Sequence, residues 1–304
     1  MGNSNMNKAK KIKNDEFYTQ ISDIEKELLH YKQQFNDKIV FCNCDDPEAS
    51  HFWKYFDLNF NHLNLKKLIS THYDKEKPTY KLEIARDKNN EKLEPVKTNL
   101  IQNGDFRSPE CIDLLKESDI ICTNPPFSLF REYVDLLIKY DKKFLIIGNN
   151  NAVTYKEIFK LIKDNKLWLG YQFIKEFLQE DGTIKKFGNI HWFTNLDIKK
   201  RHEFLDLRFK SYEQNPELYP KYDNYNAINV NKVKDIPGDY NDAIGVPITF
   251  LECYNPNQFK ILGQTGIIEP DGICIKYKGG RPYINDKRMY SRIFIKKIKQ
   301  KEVK

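Results

Sequence analysis

The 304-residue chain has no long uncharged apolar run and a mean hydropathy of −0.70, which excludes a membrane-spanning helix. No apolar signal-peptide core follows its early lysines, and Gly2 lacks the Ser or Thr at position 6 that N-myristoylation needs. Neither export nor a lipid anchor is therefore predicted, and the cytoplasm is the expected location. The six cysteines, Cys42, Cys44, Cys111, Cys122, Cys253 and Cys274, contain no C-x-x-C pair. Four lie in apolar runs, as buried thiols of a reducing compartment do, and no metal site is read from the sequence. There is no internal repeat. Arginine is scarce, with only eight among the 50 basic residues. The net charge of +7 suits a polyanionic partner, because neutralised phosphates release counterions. An AT-rich genome would write the same Lys-, Asn-, Ile- and Tyr-rich composition, so charge alone decides nothing.

A chain of this length holds one large domain or a core with an appended lobe. What it contains is alternation. After a Lys- and Asn-rich flexible arm over 1–14, Ile21, Ile24, Leu28, Tyr31 and Phe35 recur at helical spacing and predict an amphipathic helix. "KIVFCNC" (38–44) predicts a buried strand ending at the acidic pair Asp45-Asp46, and "HFWKYFDL" predicts the helix after it. "LKKLIST" (65–71) is a second strand, ending at His72-Tyr73-Asp74, and the charged stretch 74–95 reads as a hairpin or an insertion. Beyond the turn "NGDF" (103–106) and a helix near 110–116 come the strand "DIICT", a helix with Phe130, Tyr133, Val134, Leu137 and Ile138 on one face, and the strand "KKFLIIGNN". Strands and helices alternating through short connections indicate an α/β fold, a mostly parallel sheet with helices on both faces. That core is expected over 15–167. Beyond 167 the character changes: over 168–235 aromatics and amides dominate, and the spacing fits strands and loops. Residues 168–304 are predicted to hold the remainder of the core and a further β-rich region, with hairpins near the C-terminus and Gly279-Gly280 as one turn.

Ligands of open parallel sheets bind beyond the carboxyl ends of the strands, which is where "DIICTNPPFS" (119–128) puts two prolines and an aromatic ring. Methyl transfer to an adenine N6 amine requires that the nitrogen lone pair, delocalised into the ring, be drawn out toward the donor. Two acceptors on the two N–H bonds do this: the amide oxygen of Asn124 and the carbonyl of Pro125. Pro125 and Pro126 fix φ and carry no N–H, so the carbonyl is aimed rigidly and no stray donor competes. Phe127 offers a flat face. A base in a duplex must be flipped out at about a few kcal/mol, and stacking on an aromatic ring returns ~1–3 kcal/mol. A sulfonium methyl donor needs no protein nucleophile, so positioning and electrostatics carry the step. Methylation of cytosine C5 would instead need a cysteine next to a proline, and the chain has no Pro-Cys dipeptide. Read blandly, "NPPF" is a rigid loop. The strand before it, the helix after it and the acidic strand ends upstream favour the chemical reading.

The motif is similar to that of amino-methyltransferases that use S-adenosylmethionine, and "DIICTNPPFSLFREYVDLLIKYDKKFLIIGNNNAVTYKEIF" resembles the EcoRI-type adenine-specific DNA methyltransferase family. The likeness extends to "NDEFYTQISDIEKEL", "FCNCDDPEASHFWKYF", "HWFTNL", "YDNYNAINVNKVKDIP", "GVPITFLECYNPNQF" and "RPYINDKRMYSRIFI". It implies a Rossmann-like methyltransferase sheet with an additional β-rich target-recognition region. It also implies S-adenosylmethionine as cofactor and double-stranded DNA as partner, in a restriction–modification setting with a possible cognate endonuclease and no obligate protein partner.

Residue by residue, "DEFYTQ" (15–20) is similar to the aromatic–Thr motif that closes over the donor, so Phe17, Tyr18 and Thr19 are donor-site candidates; Thr19 would equally cap the next helix. Asp45 and Asp46 stand where the family's first donor-binding loop lies, although no G-x-G follows the strand, a departure from the usual pattern. Asp74, or Tyr73, stands where an acid binds ribose hydroxyls, or is a solvated loop residue. Asp105 and Phe106 resemble the segment that holds the donor's adenine by hydrogen bond and stacking. Target recognition falls to segments after 167. There Lys278, Arg281, Lys287 and Arg288 flank a predicted hairpin and track phosphate or read guanine edges, or are merely solvated. Aromatic and Asn-rich residues over 191–231 are candidates for bordering the flipped base.

RNA guanine N2 and a protein glutamine amide also present an sp² nitrogen to such an acceptor pair, and the motif alone does not separate them from adenine. A catalytically silent DNA-binding relative is the reading from outside the enzymes, and it predicts no donor binding.

Overall fold

In a computed structural model, residues 18–178, 183–273 and 280–298 are described. The arm over 1–14, Phe17 and Lys278 lie outside them, as does Gly279. The chain divides into two compact units, Met1–Ala152 with Leu169–Leu196, and Val153–Trp168 with Asp197–Lys304.

The first unit is built on nine strands: β1 (Tyr18–Thr19), β2 (Ile39–Cys42), β3 (Lys67–Thr71), β4 (Tyr80–Ala85), β5 (Val96–Asn99), β6 (Ile120–Thr123), β7 (Lys143–Asn149), β8 (Trp168–Leu178) and β9 (Ile184–Thr194). Their order across the sheet is β1-β8-β9-β7-β6-β2-β3-β4-β5. Among the strand pairings described, those within the central group β7-β6-β2-β3 are parallel. The β3–β4, β4–β5, β7–β9 and β1–β8 pairs are antiparallel, so the sheet is mixed where a mostly parallel one was expected. The parallel strands read as unbroken apolar runs because both their faces are covered: all four residues of β2 and of β6 are buried.

The covering helices are α1 (Ile21–Leu28), α2 (His51–Leu58), α3 (Pro109–Glu117) and α4 (Phe130–Lys139). Trp192 and Phe193, neighbours on β9, point to opposite faces. Trp192 meets Phe52 of α2 edge-on at 5.8 Å, and Phe193 meets Phe130 of α4 at 5.0 Å, which puts α2 and α4 on opposite sides. The helix predicted over 21–35 is interrupted. α1 ends at Leu28, His30 and Tyr31 close three-residue hydrogen bonds, and a 3-10 turn covers Lys32–Phe35. Ile24, Leu28, Tyr31 and Phe35 are nonetheless all buried, so the apolar stripe survives the break. Beneath it the Glu27 carboxylate accepts from the Tyr31 hydroxyl and from the amides of Tyr171 and Gln172 on β8. The charged stretch 74–95 contains β4 and leads into β5, and the two pair antiparallel beyond β3.

The second unit contains α5 (Lys156–Lys163), a sheet of order β10 (Ile228–Asn229), β11 (Ile244–Val246), β15 (Ile293–Lys297), β12 (Phe259–Gln264), and a hairpin of β13 (Tyr283–Ile284) and β14 (Lys287–Arg288). The hairpin turns at Asn285 and Asp286, whose φ values are 49° and 60°. That is a two-residue turn of the kind Asn and Asp tolerate; the turn expected at Gly279-Gly280 falls on Gly279, outside the described residues. The four-stranded sheet joins segments distant in the chain rather than successive hairpins.

Candidate active site

β2 and β6 are adjacent, yet the crossover from β2 leads outward to β3 and that from β6 leads the other way, to β7. Between them lies the switch point of the parallel group, and ligands of such sheets enter at the carboxyl ends there. Asn43 to Asp46 leave β2 on this rim, and Asn124 to Phe127 leave β6.

The two loops are stitched together. Asp45 is 8% exposed, and one of its carboxylate oxygens accepts from the Thr123 hydroxyl and from the Asn124 N–H at 3.2 Å. The other accepts from Ser50 at 2.8 Å, and Ser50 caps α2 through the Phe52 N–H. The Thr123 hydroxyl in turn accepts from the Cys44 N–H at 3.1 Å. Burial pushes the Asp45 carboxyl up to about 6, against the pull of the Thr123, Ser50 and Asn124 hydrogen bonds. Thr123, the last residue of β6, had no mark in the sequence beyond its place at the end of an apolar run.

Asn124, Pro126 and Phe127 are half-buried and Pro125 is buried. The Pro126 carbonyl accepts from Leu129, closing a 3-10 turn, whereas among the described residues the Pro125 carbonyl takes no donor. Phe127 meets Phe177 of β8 edge-on at 6.5 Å. Phe177 is the strand partner of Thr19, so Thr19 and the "NPPF" corner share this residue as neighbour. Thr19 is buried on β1 and its carbonyl engages His51; the cap position of α1 is Gln20, without a side-chain cap, so the capping reading of Thr19 is set aside. Of Tyr18 only the strand position is described.

The other donor-site candidates separate into those at the rim and those turned elsewhere. Asp46 accepts from Tyr80 at 3.2 Å and from the Glu48 N–H, with His72 3.9 Å away. Gly104 packs the "NGDF" turn against the end of β3, where Asn103 accepts from the Asp74 N–H. The Asp74 carboxylate caps its own loop through Glu76 and Lys77, whose N–H groups hold it below the usual range. Asp105 is gripped by the Arg107 guanidinium at 2.6 and 2.8 Å. Burial pushes its carboxyl up, but Arg107 outweighs this and holds it below the usual range. Phe106 is buried, its ring edge-on to Tyr133 at 5.1 Å, and the Tyr133 hydroxyl donates to Asn43.

Thr19 Oγ1, Asn43 Nδ2 and His72 Nδ1, at the ends of β1, β2 and β3, are buried and have no hydrogen-bond partner among the described residues. Buried polar atoms are normally satisfied, so these fit a polar cosubstrate that brings its own donors and acceptors. Among the described residues no group of three or more His, Cys, Asp or Glu is arranged to hold a metal. The five cysteines described, Cys42, Cys44, Cys111, Cys122 and Cys253, are all free thiols.

In the second unit Arg281, Lys287 and Arg288 are exposed. The turn of their hairpin is held by Asp223, whose carboxylate accepts from Asn285 and Asp286, and by Asn224, which bonds the Arg281 carbonyl and the Tyr283 N–H. Several aromatics over 191–231 are core residues instead of candidates for bordering a base: Trp192 and Phe193 are buried, and Tyr222 and Tyr225 pack on Phe294.

A switch-point rim carrying N-P-P-F at the end of β6 defines an amino-methyltransferase of the α/β class. Residues 5–298 match the family described as "Adenine-specific methyltransferase EcoRI". Similar proteins include the "Type II methyltransferase M.EcoRI" of Escherichia coli, 49% identical over 97% of this chain and 96% of that one. Two others are M.MgeORF184P of Mycoplasma genitalium, 41% identical over 96% and 98%, and M.MpnI of Mycoplasma pneumoniae, 39% identical over 95% and 97%. No solved structure gives a significant match. The chain belongs to the EcoRI family of adenine-specific methyltransferases, and its reaction is methyl transfer to adenine.

Proposed function

We propose that the chain methylates the N6 amine of adenine in double-stranded DNA, on a base rotated out of the duplex, with S-adenosylmethionine as donor. The modification half of a restriction system, with or without a cognate endonuclease, is the setting its relatives' names suggest, and the cytoplasm is the location this reading takes. The observation that carries this reading is the N-P-P-F corner on the switch-point rim, with the Pro125 carbonyl unengaged among the described residues and Asn124 beside it. Asn124 Oδ1 and the Pro125 carbonyl accept from the two N6–H bonds, which localises the nitrogen lone pair, and Phe127 stacks on the purine. S-adenosylmethionine, when bound, supplies a methyl group on a sulfonium, so attack is in line and the amine proton leaves afterwards. Thr19, Asn43 and His72 supply polar atoms on the donor side, with Asp46 and the "NGDF" turn beside them. Tyr18, Phe17, Asp74, Asp105 and Phe106 remain donor-side candidates by resemblance. Asp105, already in Arg107's grip, would need to share its carboxylate.

Arg281, Lys287 and Arg288, with Lys278, are the DNA contacts in this reading. Of the chain's 50 basic and 43 acidic residues the second unit carries 24 and 16, leaving 26 and 27 in the first, so the positive charge belongs to the second unit. The test is Asn124→Ala assayed with labelled S-adenosylmethionine on unmodified duplex DNA, with RNA in parallel. Turnover on DNA should fall by roughly 10²–10³-fold or more, in line with removal of one preorganised hydrogen bond at a reacting centre. Turnover within a few fold of the parent, or a preference for RNA, would overturn the reading.

A further inference from the structure

We propose that Asp45 is a positioning residue for Asn124 and not a contact of the methyl donor. The inference rests on the reading of Asn124 as acceptor. It starts from the direction of the side chain: Asp45 leaves β2 at the rim but turns inward. Both carboxylate oxygens are occupied by Thr123, the Asn124 N–H and Ser50, and the Asp45 carbonyl accepts from Ser70 at 2.6 Å. Asp46, its neighbour, takes the outward position beside Tyr80 and His72.

The effect on Asn124 is a backbone fixed from two sides. Pro125 restricts its ψ to the extended region. The hydrogen bond from its N–H to Asp45 holds the preceding peptide plane, and the Thr123 hydroxyl, sharing the same carboxylate oxygen, ties that plane to β6. The Cys44 N–H on Thr123 closes the stitch from the opposite loop. The side-chain amide of Asn124 therefore starts from one defined place. A displacement of about 1 Å at a reacting centre is worth on the order of 10²-fold in rate.

Thr123→Val removes the hydroxyl and keeps the shape, and Thr123→Ser keeps the hydroxyl. In the full-length chain, with labelled S-adenosylmethionine and unmodified duplex DNA, Thr123→Val should lower the single-turnover rate by roughly 10–100-fold. Its donor Kd should stay within about threefold, and Thr123→Ser should recover the rate. Asp45→Asn, measured by donor binding alone, should also keep its Kd within about threefold of the parent, since the carboxylate is not asked to touch the donor. The inference is overturned if Thr123→Val turns over at the parental rate, or if Asp45→Asn loses donor affinity by tenfold or more. Asn124→Ala is the parallel control: if it stays active, the acceptor reading falls and takes this inference with it. If it is inactive while Thr123→Val is not, only the positioning role fails.

Discussion

A Cβ on Gly104 would stand 2.1 Å from the carbonyl oxygen of His72, and Gly104 itself holds φ at +71°. Both facts forbid a side chain, because the close neighbour is backbone and the conformation is left-handed. Gly104→Ala is expected to cost roughly 1–3 kcal/mol in strain alone and to push the turn bearing Asp105 away from the end of β3. The urea midpoint should fall, and the donor Kd should rise at least tenfold. An alanine variant with the parental midpoint and donor affinity would show that the turn has slack the geometry denies.

Much of this rim could be read from residue order. β2 and β6 are apolar runs because both faces are covered, and α2 starts where Ser50 caps it and spans the stretch expected. The strands β8 and β9 were harder: their alternating aromatics and amides suit strands, but nothing local says that they join the central sheet beside β7. The turn at Asn285-Asp286 was not read from the sequence, because it needs Asp223 to hold it. In the site, "NPPF" carries its chemistry in its letters. Asp45 and Asp46 carry only their position, and which of the two faces inward depends on Ser50 and on Thr123, the latter 78 residues away in sequence.

Asp45 also sets a pH dependence. Its carboxyl is raised to about 6 from an ordinary 3.8, so between those values the folded protein keeps a proton that the unfolded chain has lost. Stability therefore declines as pH rises through that window, and the cost is fully present above it. The gap is worth roughly 3 kcal/mol at most. Asp45→Asn has no such ionisation, so its stability relative to the parent should improve by roughly 1–3 kcal/mol between pH 4 and pH 7. Urea midpoints of the pair across that range check the sign; a difference that is flat or runs the other way sinks the assignment.

Phe127 is half-buried, its ring touching Phe177 by an edge. Phe127→Ala should remove base stacking of ~1–3 kcal/mol, which is about a 5- to 150-fold rise in the KM for DNA. Donor affinity should hardly change. Equal losses on DNA and donor would mean that the ring supports the corner as a whole and has no separate role toward the base.

The hairpin of β13 and β14 presents Lys287 and Arg288 to solvent on a turn that Asp223 and Asn224 hold in shape. If these side chains neutralise phosphates, each one removed should flatten the plot of log K against log salt by about 0.9. The double variant Lys287→Ala with Arg288→Ala should therefore lose about 1.8 from the slope while its donor Kd stays put. Asn224→Ala leaves every charge in place but frees the Arg281 carbonyl and the Tyr283 amide, so it should weaken DNA binding with a smaller change in slope. Anisotropy titrations on a duplex at several salt concentrations separate the two effects. An unchanged slope in the double variant would remove the hairpin from the DNA interface.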